Sequence, residues 1–304
     1  LFVSIDVTGK GQVELNTLSF CKRRSRVKSS SLFSFMQTPQ SRNKSLIQGI
    51  FTDTLTIFWG EWLDLRARIA QIAATGLISP LIYIFAFGLG LGSTIDRSIE
   101  PSAGSSYLEF ILPGMVALSS MTISFGGTTF SICGDRLFSQ TFDELLLLPV
   151  HPLALFLGKM FAGIVRGLMT ASSVILVAVL FTGKVGSFLN PLFLLLLVLN
   201  CAVFAGLGVI IGLRVKSLES VGLYNNFLIV PMSFLGGTFF DPTNLPTILK
   251  IVVYCLPLTY TSTGLRAAAY LPLAEFPWYS IPVLLVFAIA LCFLGAYQFS
   301  HQQD

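Results

Sequence analysis

The chain has 304 residues, 54% hydrophobic and only 11% charged, where a soluble domain carries roughly a quarter charged residues. That balance excludes an ordinary water-soluble globular protein. The apolar residues fall in long runs separated by short polar gaps, the pattern of helices solvated by lipid, so residues 46–304 read as one membrane domain. The net charge of +4 does not point to nucleic acid, because ten of the nineteen Lys and Arg precede residue 69, outside the apolar runs. A basic cytoplasmic tail under the positive-inside rule accounts for it. Cys21, Cys133, Cys201, Cys255 and Cys292 show no paired spacing of metal-site or redox type and read as packing residues.

Residues 1–45 read as a polar, Ser-rich, disordered cytoplasmic extension. It carries the basic cluster Lys22, Arg23, Arg24, Arg26 and Lys28, with no apolar core of signal-peptide type behind it. Met36 stands just ahead of the first patterned helix and is an alternative start to Leu1. From Ile47 onward, Phe51, Leu55, Phe58, Trp62, Leu65 and Ile69 recur at spacings of three and four, with Asp53, Glu61, Asp64 and Arg68 among them. This predicts an amphipathic helix lying in the membrane interface, anchored by tryptophan, because its acidic residues would be costly in lipid.

Six spans are expected: 69–91, 110–132, 160–181, 191–213, 221–240 and 279–297. Each is long enough to cross about 30 Å of hydrocarbon at 1.5 Å per residue. With both termini inside, the cytoplasmic side collects fifteen Lys and Arg: ten before residue 69, then Arg136, Lys159, Arg166, Arg214 and Lys216. The outside receives four, Arg97, Lys184, Lys250 and Arg266. That asymmetry sets the expected orientation. Between the last two spans, residues 241–278 are too apolar for a plain loop and too broken by proline to cross. The run 248–256 carries Lys250 and lies between Pro246 and Pro257, and a second stretch, 262–270, is followed by Pro272. A re-entrant or interfacial helix pair is expected there.

No GxxxxGK followed by Ser or Thr occurs, so the chain is not expected to bind ATP by itself. His151 and His301 both fall in expected cytoplasmic segments, and no Asp or Glu lies near the middle of a span. Both facts weigh against a membrane-embedded enzyme, and the second against an ion-coupled secondary transporter or channel, the main alternative. Glu109 and Asp241 sit at span ends, where interface solvation suffices for them. Asn200, Asn225 and Asn226 are the deepest strongly polar side chains and read as interhelical hydrogen-bonding residues. The connection 134–152 is more pointed. Thr141 and Glu144 fit a capping box around Phe142 and Asp143; Leu145, Leu146, Leu147 and Leu148 follow, and Pro149 ends the run. Four consecutive leucines on a short helix outside the spans need a covering surface, either the bundle or membrane interface, or a partner.

Three stretches carry a family resemblance: YLEFILPGMVALSSM (107–121), DELLLLPVHPLALFLGK (143–159) and PMSFLGGTFFDPTNLPTILKIVVYCLPLTY (231–260). From about residue 50 onward the chain resembles the type-2 ABC exporter permeases, especially the branch of nodulation lipo-oligosaccharide and daunorubicin-type drug exporters. The resemblance implies an all-α polytopic fold with an interface helix, six spans, a cytoplasmic coupling helix between spans two and three, and re-entrant helices between spans five and six. It also implies a dimer of permeases, most simply a homodimer, docked on two ATPase subunits in the inner membrane. ATP and Mg would be bound by the ATPase, with no cofactor in this chain, and an amphipathic lipid, glycolipid or drug would be exported.

Overall fold

The computed structural model describes residues 46–86, 107–139, 142, 145, 150–183, 185–240 and 246–303. The expected extension 1–45, the loop 87–106 and most of the leucine segment lie outside the described residues. The described residues contain helices and no strand. In chain order these are α1 (Leu46–Ala67), α2 (Ile69–Tyr83), α3 (Tyr107–Gly134) with a π turn (Asp135–Ser139), α4 (Pro152–Thr182), the short α5 (Val185–Phe188) and α6 (Pro191–Arg214). They continue with α7 (Leu218–Tyr224), a second π turn (Asn225–Ile229), α8 (Val230–Leu235), α9 (Thr247–Tyr254), α10 (Pro257–Tyr270) and α11 (Ser280–Gln303).

Among the described residues, five helices are long and apolar enough to cross a membrane: 69–86, 110–137, 152–180, 191–214 and 280–301. The pair α9 and α10 makes a sixth candidate if counted as one broken span, although it bends by 88° at the break. Such a bend fits the expected re-entrant pair. Pro257 opens α10 at its first turn, where the missing N–H costs nothing, so α10 begins five residues earlier than the second stretch read from the sequence. Pro246 precedes α9, and Lys250 is half-buried on it.

The expected fifth span, 221–240, is helical from Leu218 through Leu235 but is interrupted by the π turn that opens at Asn225. It is not one of the five uniformly apolar helices. The expected third span starts at residue 160, yet α4 runs 31 residues from Pro152, about 46 Å at 1.5 Å per residue. The His151 side chain accepts a hydrogen bond from Leu153 N at 3.2 Å and caps α4, with Pro152 at its first turn. His151 is therefore a helix cap, a structural role. Gly183, at φ 68°, closes the same helix in the left-handed conformation.

α3, α4 and α6 pack against one another at the centre; α1 and α2 lie along α4, α11 covers α4 and α6, and α10 crosses α3 and α6. The core between them holds Met115, Met121, Phe125, Phe193 and Phe204, all fully buried. α3 and α6 approach closely: a Cβ on Gly208 would lie 2.7 Å from the Phe125 carbonyl oxygen, so this crossing needs glycine. Small polar side chains tie the three helices. Asn200 donates to the Ala117 carbonyl at 3.2 Å and to Ser120 Oγ at 2.9 Å, Thr129 donates to the Gly208 carbonyl at 3.1 Å, and Ser124 donates to the Gly163 carbonyl at 3.2 Å. Asn200 thus has the interhelical role expected of it, whereas Asn226 is exposed and Asn225 half-buried at the π turn.

Candidate functional site

At the end of the bundle where α3 finishes and α4 begins, four charged side chains meet below the surface. Lys159 Nζ lies 2.5 Å from Glu61 Oε1 and 2.6 Å from Asp135 Oδ2, and Arg166 Nη2 lies 3.0 Å from Glu61 Oε2. Their side chains are 5% (Lys159), 8% (Arg166), 14% (Glu61) and 15% (Asp135) exposed. Ser131 donates to Glu61 at 3.3 Å and accepts from Arg166 at 3.2 Å, while Arg166 also donates to the Gly127 carbonyl at 2.7 Å. Two cations face two carboxylates, so the cluster is neutral. Each ion is paired and hydrogen-bonded, the condition under which charges persist away from water.

Three elements build this cluster: α1 contributes Glu61, the end of α3 and its π turn contribute Ser131 and Asp135, and α4 contributes Lys159 and Arg166. Glu61 reaches α4 because the face of α1 carrying Thr54, Ile57, Phe58 and Leu65 is turned inward; Thr54 is 7% and Leu65 2% exposed. The apolar residues assigned to the interface face of α1 therefore divide. Phe51 and Leu55 are exposed, while Phe58 stacks on Trp62 at 6.5 Å and meets Phe161 edge-on at 6.5 Å. Sequence reasoning treated Glu61 as a solvated interface charge and Lys159 and Arg166 only as part of the basic side. A signal was available, since Lys159 and Arg166 stand seven residues apart and so share one helix face.

The cluster sits at the root of the segment 140–149. Next to Asp135, Arg136 donates to the carbonyls of Leu213 and Val215 at the end of α6 and lies 5.7 Å from the Phe142 ring centroid. Phe142 is 4% exposed and packs with Phe299, Phe156 and Leu155, and Leu145 joins the same apolar cluster. These two residues are covered by the bundle itself. Thr141, Asp143, Glu144, Leu146, Leu147, Leu148 and Pro149 lie outside the described residues, as does Asp241.

At the opposite end, Arg266 on α10 donates to the carbonyls of Phe110 at 2.9 Å, Gly237 at 2.5 Å and Thr238 at 2.7 Å, and stacks 3.7 Å over the Phe110 ring. It satisfies chain-end carbonyls beyond α8 and anchors the bent pair to α3.

Comparison with known proteins agrees with this architecture. The chain is 28% identical over 237 residues to the inner membrane transport permease YadH of Escherichia coli K12, covering 78% of this chain and 89% of that protein. It is 28% identical over 191 residues to nodulation protein J of Rhizobium leguminosarum bv. trifolii, covering 62% of this chain and 71% of the relative. The corresponding protein of Rhizobium meliloti is 29% identical over 191 residues, with the same coverage. The family model described as ABC-2 type transporter matches residues 52–270, from α1 through the bent pair α9 and α10. With that match spanning most of an apolar helical bundle, the chain belongs to the ABC-2 type transporter family.

Proposed function

We propose that this chain is the permease subunit of an ATP-driven exporter, passing an amphipathic lipid, glycolipid or drug across the inner membrane by alternating access. ATP and Mg are bound and turned over on a separate ATPase, present in two copies, and a second permease copy completes the pathway. The observation that carries this reading is the family match over residues 52–270 in a sequence with no phosphate-binding loop. The relatives named for nodulation agree with the branch whose cargo is amphipathic. ATP binding closes the ATPases, the segment 141–149 passes that movement on, and the paired permeases switch the face to which their pathway opens.

The test is hydrolysis. The purified chain turns over no ATP in this reading, and turnover appears only when it is co-purified with a P-loop ATPase subunit. Turnover by the isolated chain, with contaminating ATPases removed, would defeat the proposal.

The charge asymmetry further supports placing both termini and the charge-cluster end in the cytoplasm, with Arg266 outside. In intact cells, single cysteines replacing Ser102 and Gly186 are expected to react with an impermeant maleimide, and those replacing Ser139 and Ser217 only after lysis. Labelling at Ser139 in intact cells reverses the orientation.

A further inference from the structure

Two consecutive residues at the root of the 140–149 segment are tied in different directions. Asp135 is bound by Lys159 on α4, and Arg136 is bound to the carbonyls at the end of α6. Lys159 at the same time holds Glu61 of α1, so one ammonium joins carboxylates 98 and 24 residues away from it in the sequence. An ion pair buried this deeply contributes little net stability over a well-packed apolar core. What it supplies is direction: short charge-assisted bonds that set the positions of three elements relative to one another. The π turn that Asp135 opens is a local distortion frequently found at functional positions.

We propose that Lys159 is a positioning residue that clasps α1 and the root of the 140–149 segment into one mechanical unit, so that a displacement of that segment carries α1 with it. The inference rests on the reading of residues 141–149 as the contact with the ATPase. Its consequence lies on the outer face of α1, where Phe51, Leu55, Trp59 and Leu63, four residues apart, are 66%, 50%, 53% and 49% exposed. A driven α1 moves this apolar stripe against membrane lipid beside α4, which couples the ATPase stroke to the lipid-facing flank of the bundle.

Pulsed electron paramagnetic resonance tests the clasp in the permease–ATPase complex, in a background without native cysteines. Nitroxides are placed at Gly60→Cys, where added atoms meet open space, and at Leu137→Cys, which is 44% exposed. The parent is expected to show one narrow distance distribution, the same without nucleotide and after trapping with ATP and vanadate. The clasp is removed by Lys159→Met together with Asp135→Asn, which keeps the cluster neutral and leaves the Glu61–Arg166 pair in place. The distribution should then broaden roughly twofold or more, or shift on trapping, once the tie is cut. Asp135→Asn alone serves if the double variant does not fold. A variant distribution as narrow as the parent's overturns the proposal, and so does a parent distance that changes on trapping. If the parent forms no complex with the ATPase, the reading of residues 141–149 fails instead, and the nucleotide-free comparison still decides the clasp.

Discussion

Replacing Glu61 with alanine is expected to remove most of the folded protein. Glu61 is the carboxylate that both buried cations share, so its loss leaves Lys159 and Arg166 facing Asp135 alone, a net positive charge among side chains that are 5% and 8% exposed. Breaking a buried pair by deleting one partner costs about 3 to 5 kcal/mol, a large share of the roughly 5 to 15 kcal/mol that holds a typical domain together. The measurement is the thermal midpoint in detergent together with the monodisperse fraction on size exclusion. Glu61→Gln combined with Arg166→Met restores charge neutrality with the Lys159–Asp135 pair left in place, and is expected to recover much of that loss, because the penalty lies in the uncompensated charge. A Glu61→Ala variant that unfolds at the parent's temperature would mean that water reaches the cluster and that the ion pairs do not organise this end of the bundle.

The second large effect is expected on the leucine segment. Leu146→Asp or Leu147→Asp places a charge in the apolar contact proposed with the ATPase, and a docking loss of about 2.7 kcal/mol lowers affinity a hundredfold. Recovery of the ATPase with tagged permease should fall by that order, and ATP turnover by the complex should fall with it. The permease itself should still insert and run as the parent does. Phe142→Asp makes the contrast: Phe142 is 4% exposed against Phe299 and Phe156, so its replacement is expected to damage folding rather than docking. Glu109→Gln, on the far end of α3, should leave ATPase recovery unchanged. Leu146 and Leu147 variants that retain the ATPase as well as the parent does would remove this segment as the contact.

The sequence by itself determined the class of the protein, because bilayer thickness imposes a minimum length on apolar runs and few other structures need such runs. The bent pair α9 and α10 was legible in the same way, from Pro246 and Pro257 bounding segments too short to cross. Asn200 was legible as interhelical glue, since a strongly polar side chain deep in an apolar helix must find a partner. Only the tertiary structure decided which charges neutralise which. Glu61, Asp135 and Lys159 are far apart in the chain, and periodicity along one helix says which residues share a face without saying what that face meets. The full length of α4 was not legible either: the apolar run from residue 160 marks a span, while the helix itself begins at Pro152, where His151 caps it. The inward turn of Phe142 and Leu145 depended likewise on Phe299 at the other end of the chain, a contact that forms only when α11 packs beside α4.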